Sequence, residues 1–566
     1  MRVLTIIILV FALLLITKLF FVQVLHGSSY KEQADKQYVT PSSNIFKRGS
    51  IFLKDKSGDL ITGAGTISGF KVAINPGKIN NIEDTYNSIV EIIPIDHESF
   101  LVKAEKKDDP YEEIANKIHK KEADLLRKLN LPGVDIHKER WRFYPGGNLA
   151  SHVLGLIAFK ENDLIGHYGI ERYYEDVLSQ EEDDLYINFF AEVFSNIGKT
   201  VNRLVDKEDQ RKGDVITSIE PTVQVFLEDK LKAIMDDWRA DSTGGIIINP
   251  QTGEIYAMAA FPNFDLNDFS KVDDPSLFSN PIVENVFELG SIIKPLVMAA
   301  GLDTGAITSE TTYYDGGKIV VENKTIHNFD KKGRGTVNMQ EVLNQSLNTG
   351  MVFVMQQVGK DKLKEYLISY GIGEKTGIDL PNETSGLISN LESKREIEYA
   401  TVAFGQGIAI TPIEAVRAFS ILANGGTKIT PHLVKEIKYE KGGGKEIKYP
   451  PSDEQIIKKD TSKEITRMLV EIVDTALFNG KEKMEHYSIA AKTGTAQIAN
   501  KSGGGYYEDR YLHSFFGYFP AYDPDFLVLL YAIDPKGVRY SSQTLAPPFM
   551  ETAKFLLNYY EIPPDR

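Results

Sequence analysis

The first hydrophobic feature of the chain is an almost unbroken apolar run over residues 3–25, interrupted by Thr17, Lys18 and Gln23. A helix of that length spans the ~30 Å hydrocarbon core of a bilayer. A cleaved signal peptide is the alternative, because residues 3–16 alone are long enough for its apolar core, but no A-x-A pattern follows the run. The pattern therefore favours an uncleaved single-pass anchor over residues 1–29, in the cell membrane, with the bulk of the chain extracytoplasmic.

Residues 30–213 alternate between short apolar and polar stretches without one dominant period. Residues 48–52 and the glycine-containing turn at 56–59 predict two strands joined by a tight connection. Residues 108–130 carry isoleucines and leucines at helical spacing and predict a helix. This region contains no nucleophile constellation, so we expect a mixed domain without catalytic groups.

From residue 214 onward the pattern becomes regular. Helical periodicity covers 222–238, and helices are expected to follow from Ser291, Asn338 and Ile413, with a closing helix over 547–560. Strand-like runs cover 244–248, 254–260, 488–499, 514–520 and 526–533. Strands at both ends with helices between them predict an α+β domain over 214–566, with a mainly antiparallel sheet flanked by helices.

Composition removes several classes of function. The formal net charge of −15 argues against a nucleic-acid-binding protein. The absence of cysteine excludes disulfides and thiolate metal sites, and the ten histidines show no ligand spacing. These residues therefore give no sign of a metal site.

Three short motifs in the second region carry candidate chemistry. They are Ser291-Ile292-Ile293-Lys294, Ser346-Leu347-Asn348 and Lys492-Thr493-Gly494-Thr495. Together they supply a serine hydroxyl, amines to activate it and a place for an anionic acyl donor. Each motif is weak alone, since Ser28 and Ser68 also begin S-x-x-K and a second Lys-Thr-Gly begins at Lys375.

Context favours Ser291 as the nucleophile. Ser291 leads an apolar helical run, so its hydroxyl is expected at a helix N-terminus, and Lys294 lies three residues on, on the same face. Burial and the positive helix end lower the pKa of such an amine, which makes Lys294 the candidate base.

Context also favours Lys492 over Lys375, because a strand-like stretch of small residues precedes Lys492 whereas Lys375 reads as a loop after a helix. An edge strand here would bind an extended peptide through its main chain. Thr493 and Thr495 are expected to hold a carboxylate around Gly494, with Lys492 adding charge. The backbone N–H groups of Ser291 and Thr495 are the candidate oxyanion hole.

Ser346 and Asn348 follow a helical stretch. Alone, they would be read as an ordinary capped helix end. With the other motifs in order, we interpret Ser346 as a proton relay between Lys294, Lys492 and the leaving group, and Asn348 as an anchor for a substrate amide.

At this point the chain resembles the class B penicillin-binding proteins, membrane-anchored peptidoglycan D,D-transpeptidases. Further segments share that family's motifs: 48–51, 142–147 with His152, 169–174, 249–255, 375–381 and 403–407. The resemblance implies an elongated pedestal of the dimerisation type over 30–213 and a penicillin-binding transpeptidase domain over 214–566. Segments 286–291, 492–497 and 514–520 fit the septal, cell-division branch best, and the cell-elongation branch remains the alternative.

The resemblance implies that Ser291 forms an acyl-enzyme with a stem peptide and that β-lactams inhibit by trapping it. It implies no metal or organic cofactor, and it implies three kinds of partner: peptidoglycan stem peptides, an integral-membrane glycan polymerase and division proteins. Leu289 and Ala491 depart from the usual proline and glycine. A carboxypeptidase or β-lactamase, and a non-catalytic division scaffold or β-lactam sensor, are the rival functions.

Overall fold

The computed structural model describes residues 47–160, 163–179, 212–440, 442–450, 454–500 and 504–566. Its strands are β1 Ile51–Lys54, β2 Leu60–Ile74, β3 Glu112–Ile118, β4 Val134–Phe143, β5 Ile157–Lys160, β6 Asp163–Gly166, β7 Gly213–Thr217, β8 Ser242–Ile248, β9 Ile255–Phe261, β10 Thr312–Asp315, β11 Lys318–Val321, β12 Lys324–His327, β13 Gly335–Asn338, β14 Val434–Tyr439, β15 Gly444–Glu446, β16 Ala490–Ala499, β17 Tyr506–Phe519 and β18 Phe526–Ile533.

The α-helices are α1 Ile82–Val90, α2 His97–Ala104, α3 Lys120–Leu129, α4 Ser151–Leu154, α5 Gly169–Tyr173, α6 Glu175–Leu178, α7 Pro221–Trp238, α8 Pro281–Glu284, α9 Lys294–Asp303, α10 Met339–Asn344, α11 Asn348–Val358, α12 Lys360–Ser369, α13 Glu396–Val402, α14 Pro412–Ala423, α15 Lys459–Glu471 and α16 Ser541–Tyr559. Within the described ranges, none of the helices is both long and apolar enough to cross a bilayer. The anchor predicted over 1–29 lies outside the described residues.

The described residues form two compact units. The first comprises 47–48 and 66–142, and the second comprises 49–65 and the described residues from 143 onward. In the first unit the later part of β2 pairs with β3 and β4. Apolar side chains of β2, α1, α2 and α3, including Val72, Ile89, Phe100 and Leu126, form its small core.

The second unit is built on a five-stranded sheet in the order β16-β17-β18-β8-β9, antiparallel throughout. Successive side chains of β8 point to opposite faces of the sheet. Ile247 packs with the buried cluster on one face, and Ile246 and Ile248 pack with the cluster on the other. Helices α7 and α16 cover the first face, and α9, α14 and α15 cover the second. The prediction of an antiparallel sheet flanked by helices is confirmed, and β16 lies at the sheet's edge.

Two secondary-structure predictions were wrong. Residues 108–130 do not form one helix, because β3 occupies 112–118 and pairs with β2, Ala115 opposite Val72. Isoleucines four residues apart fit a strand as well as a helix, and sheet pairing decides between them. The helix begins only at Lys120, where the Glu122 carboxylate accepts the N–H of His119 at 2.9 Å.

The closing helix is longer than predicted. It begins at Ser541 and includes Pro547 and Pro548 in its interior. We expected a start at Pro547, because proline favours the first turn. Because α16 begins at Ser541, its N-terminal end lies beside Thr495 of β16. Ser541 N donates to Thr495 Oγ1 at 3.1 Å.

Candidate active site

Ser291 lies in a 3₁₀ turn, Gly290–Ile293, that runs directly into α9. Gly290 has a left-handed φ of 66°, and its N–H donates to Gly405 O at 3.2 Å. A Cβ at Gly405 would come 2.0 Å from Gly290 O, so this approach requires glycine. The turn that presents Ser291 is therefore packed backbone-to-backbone against the 402–407 turn.

Lys294, the first residue of α9, is fully buried. Its Nζ donates to Ser346 O at 2.6 Å and Asn348 Oδ1 at 2.8 Å, and lies 3.1 Å from Ser346 Oγ. Burial first, and then the nearby charge of Lys492, hold the pKa of Lys294 well below its usual value of 10.5. Both causes favour the neutral amine of Lys294 over its ammonium form.

Lys492 projects from the edge strand β16 and is 2% exposed. Its Nζ donates to Ser346 Oγ at 3.1 Å and to Thr493 O at 3.0 Å. Burial lowers the pKa of Lys492 to about 7. The Lys492 amine therefore changes its charge near neutral pH. It contacts the same hydroxyl, that of Ser346, as the Lys294 amine.

Ser346 holds the two amines together from a strained position. Its backbone has a left-handed φ of 54°, which is unusual for a residue with a Cβ and is found at functional sites. Beside it, Asn348 begins α11, and its Nδ2 donates to His327 O at 3.0 Å. The Asn348 side chain is therefore held at both ends, by Lys294 and by the end of β12.

One cavity of about 1290 Å³ collects these groups. Of the predicted site residues it is lined by Ser291, Ser346, Asn348, Lys492, Thr493 and Thr495. Lys294 and Gly494 lie behind this lining. A Cβ at Gly494 would come 2.3 Å from Ser514 Oγ and 2.8 Å from Leu289 O, so glycine lets β16 approach the nucleophile turn.

Ser291 itself is partly exposed in this cavity. Within the described part of the chain, its hydroxyl forms no hydrogen bond with Lys294, whose three contacts go to Ser346 and Asn348. The structure brings both lysines, Ser346 and Asn348 into direct contact, and it places Ser291 on the wall of the same cavity.

Sequence reasoning missed two supports of the cavity wall. Ser514 Oγ donates to Leu289 O at 2.7 Å and fixes the residue before Gly290. Ser541 lines the cavity, its N–H donates to Thr495 Oγ1, and its Oγ donates to Ser514 O at 2.7 Å. The one sequence signal near these residues was the resemblance of segment 514–520 to the family, which includes Ser514 but not Ser541.

Two other candidates lie elsewhere. The second Lys-Thr-Gly is a loop outside the cavity lining, in which Glu383 accepts Thr376 N and Thr376 Oγ1, each at 2.6 Å. His152 is buried, its Nε2 lies 3.0 Å from Leu277 O, and burial lowers its pKa to about 4. The loop environment of the second Lys-Thr-Gly agrees with the interpretation of Lys375 as part of a loop, and the buried His152 lies outside the cavity lining.

The chain matches two family models. Residues 243–553 match the penicillin binding protein transpeptidase domain, and residues 46–217 match the penicillin-binding protein dimerisation domain. The domain limits at 29, 213 and 214 stay predictions.

Similar proteins extend over nearly the whole chain. Stage V sporulation protein D of Bacillus subtilis is 31% identical over 95% of this chain and 82% of that protein. Peptidoglycan D,D-transpeptidase FtsI of Buchnera aphidicola is 26% identical over 99% of this chain and 94% of that protein. The crystal structure of penicillin binding protein 3 from Mycobacterium tuberculosis with aztreonam has the same fold, with a TM-score of 0.69, 22% identity and coverage of 92% of this chain and 98% of that one.

A transpeptidase-domain match over more than half of the chain, joined to a dimerisation-domain match in the order the sequence predicted, establishes the family. The chain belongs to the class B penicillin-binding proteins, serine acyltransferases that act as peptidoglycan D,D-transpeptidases.

Proposed function

We propose that Ser291 is the nucleophile of this transpeptidase and that Lys294 is its base. The observation that carries the proposal is the contact of two buried amines, Lys294 and Lys492, with the one hydroxyl of Ser346, each at 3.1 Å. Two amines this close favour the neutral form of at least one of them, which is what a base for a serine hydroxyl requires.

Proton counting supports Lys294 as the base. A neutral amine has two hydrogens and one lone pair. Two pure acceptors, Ser346 O and Asn348 Oδ1, take both hydrogens, so the lone pair accepts a hydroxyl proton, either that of Ser346 at 3.1 Å or that of Ser291 when its side chain turns toward the amine. Rotation of the Ser291 side chain toward Lys294 would present its hydroxyl proton to that lone pair.

In acylation, Ser291 Oγ bonds to the carbonyl carbon of the penultimate D-alanine and its proton passes to Lys294. The backbone N–H groups of Ser291 and Thr495 would stabilise the oxyanion. The peptide C–N bond then breaks, and the leaving amine takes a proton relayed from Lys294 through Ser346. Thr493, Thr495 and protonated Lys492 would bind the terminal carboxylate beside Gly494, and Asn348 would bind a backbone amide of the donor.

In the second half, the amine of a neighbouring stem peptide attacks the ester carbonyl and loses a proton along the reverse path. Ser291 leaves as an alcohol and a cross-link is formed. The open edge of β16 supports binding of an extended donor by main-chain hydrogen bonds. A β-lactam would acylate Ser291 in the same way, because its ring amide mimics the donor bond.

We further propose that the chain is anchored by residues 1–29 and acts in septal wall synthesis, with an integral-membrane glycan polymerase and division proteins as partners. The 26% identity with FtsI extends to 99% of this chain and is consistent with a class B role. The 31% identity with Stage V sporulation protein D favours a second candidate, the same reaction in spore formation. Depletion should produce filaments for a septal role, rounded cells for the elongation alternative, and defective spores alone for the second candidate.

The test uses fluorescent penicillin and a stem peptide ending in D-Ala–D-Ala, on wild type beside Ser291→Ala. We expect label and D-alanine release with wild type only, together with a cross-linked product when an acceptor amine is present. Label on both proteins, or on neither, would refute the nucleophile. Release of D-alanine without any cross-linked product would favour the hydrolase alternative, and normal wall assembly by Ser291→Ala cells would favour the scaffold.

A further inference from the structure

Glu288, three residues before Ser291, is a half-buried carboxylate with no role in the mechanism above. Its Oε1 accepts the N–H of Gly407 at 3.1 Å. The hydroxyl of Tyr506 donates to both of its oxygens, at 3.1 Å and 2.8 Å. One side chain thus joins the nucleophile segment, the 402–407 turn and the start of β17.

This arrangement is costly without a function. Burial raises the pKa of Glu288, opposed by the hydrogen bonds from Tyr506 and Gly407, and no cation among the described residues neutralises the charge. Burial and the adjacent carboxylate raise the pKa of Tyr506, which keeps its hydroxyl a donor. An apolar residue at position 288 would avoid the desolvation cost. The presence of a carboxylate there therefore indicates a geometric role.

The geometric reason lies in which segments the contact joins. Tyr506 pairs with Ala499 across β16 and β17, so it belongs to the hairpin whose first strand carries Thr495. Glu288 belongs to the segment that carries Ser291. Where the two segments meet, an added Cβ at Gly290 would lie 3.1 Å from Ala496 Cβ and 3.2 Å from Thr495 O.

We propose that Glu288 and Tyr506 are positioning residues that set the spacing between the two N–H donors of the oxyanion hole, on Ser291 and Thr495. This inference rests on the proposed function. The two donors stand on separate segments, and hydrogen bonds stabilise a transition state only when both donors already point at the developing charge. The Glu288–Tyr506 contact ties the segments together beyond the cavity, and the Gly407 N–H ties the same carboxylate to the turn behind Gly290.

The test measures the noncovalent dissociation constant, the acylation rate and the deacylation rate of fluorescent penicillin, together with the fraction of protein that can be labelled. Glu288→Ala should lower both rates about tenfold, because the same hole serves both tetrahedral intermediates. The dissociation constant and the labelled fraction should stay within about twofold of wild type. Glu288→Gln, which keeps polar atoms for both partners, should stay within about threefold of wild type, and Tyr506→Phe should fall between the two.

Tyr559→Phe is the matched control. Tyr559 OH donates to Glu220 Oε1 at 2.8 Å, a contact of the same kind outside the cavity lining, and its loss should leave all four quantities unchanged. Should Glu288→Ala not fold, Tyr506→Phe carries the test.

The inference is overturned if Glu288→Ala keeps both rates, loses only the labelled fraction, changes the dissociation constant instead, or slows acylation alone. Ser291→Ala measured in parallel separates the two proposals. Label on Ser291→Ala refutes the proposed function itself, whereas an unlabelled Ser291→Ala beside an unimpaired Glu288→Ala refutes only the positioning role.

Discussion

The chain contains Lys-Thr-Gly twice, and the two copies have opposite environments. At 492–494 the tripeptide lies in an edge strand, with the lysine buried beside Lys294 and Ser346. At 375–377 it forms a loop whose threonine and glycine N–H groups donate to one carboxylate, that of Glu383. The same three residues line or support a cavity in one place and form a loop in the other, so the surroundings rather than the residue types decide what the motif does.

The largest expected difference between the copies is in acylation. Lys492→Ala should lower the rate of penicillin labelling by at least about 100-fold, because it removes an amine from the shared hydroxyl. Lys375→Ala should label within about twofold of wild type, since its side chain is exposed and its backbone carbonyl, which the substitution keeps, accepts a hydrogen bond from Arg417 Nη1 at 2.8 Å. Gel fluorescence over a time course measures both variants. Equal labelling rates of the two variants would contradict a difference in function between the two copies. Slower labelling of Lys375→Ala than of Lys492→Ala would place the substrate groove at 375–377.

For the stability of the fold, in contrast to acylation, we expect the loop copy at 375–377 to be important. Glu383→Ala leaves the N–H groups of Thr376 and Gly377 and the Thr376 hydroxyl without their acceptor, so unfolding free energy should fall by about 2 kcal/mol. Glu365→Ala, which removes an exposed ion pair with Lys362, should change it by less than about 0.5 kcal/mol. Denaturant unfolding gives the values, and labelling of folded Glu383→Ala should persist. A stable Glu383→Ala protein would mean that the loop copy has no structural role.

The smallest effect is a pH-dependent gain in stability. Lys492→Met removes a buried amine and should stabilise the protein by about 1 kcal/mol at pH 7 while abolishing labelling. Because the folded pKa, about 7, is below the unfolded value of about 10.4, the unfolded chain binds more protons between these limits. Wild-type stability should therefore rise by up to about 1.4 kcal/mol per pH unit across that window, so the advantage of Lys492→Met should disappear and reverse before pH 10.

Thermal unfolding of wild type, Lys492→Met and Lys375→Met at pH 7 and pH 10 checks this prediction. Lys375→Met serves as the matched control, and its difference from wild type should not depend on pH in this way. An advantage of Lys492→Met that grows with pH would contradict the buried-amine account.

Local sequence patterns predicted the sheet of the second unit well, because β9 and β18 are apolar throughout over a length typical of a buried strand. The same reasoning failed at residues 112–118, where two isoleucines fit either period and pairing with β2 decided the outcome. Boundaries depend on partners that lie far along the chain, as the early start of α16 at Ser541 also shows.

The candidate site was predictable as a set of residue types, together with the place of Ser346 between the two lysines, but not as the full set of contacts. Spacing on a helix suggested that Lys294 faces Ser291, whereas the structure directs its amine to Ser346 and Asn348, 52 and 54 residues away. The Glu288–Tyr506 contact joins residues 218 positions apart, and no local pattern marks such a pair. Long-range polar contacts of this kind follow from the packed fold, and only the fold reveals them.

The edge position of β16 has a further consequence. An unpaired strand edge normally invites other proteins to add strands, and most proteins blunt such edges with charges or kinks. In the proposed function this edge must stay open to a donor peptide, yet it lies within a cavity whose walls include the 327–331 and 539–542 segments. These walls restrict access to the edge of β16, and we expect them to hinder pairing with the edge of another folded sheet.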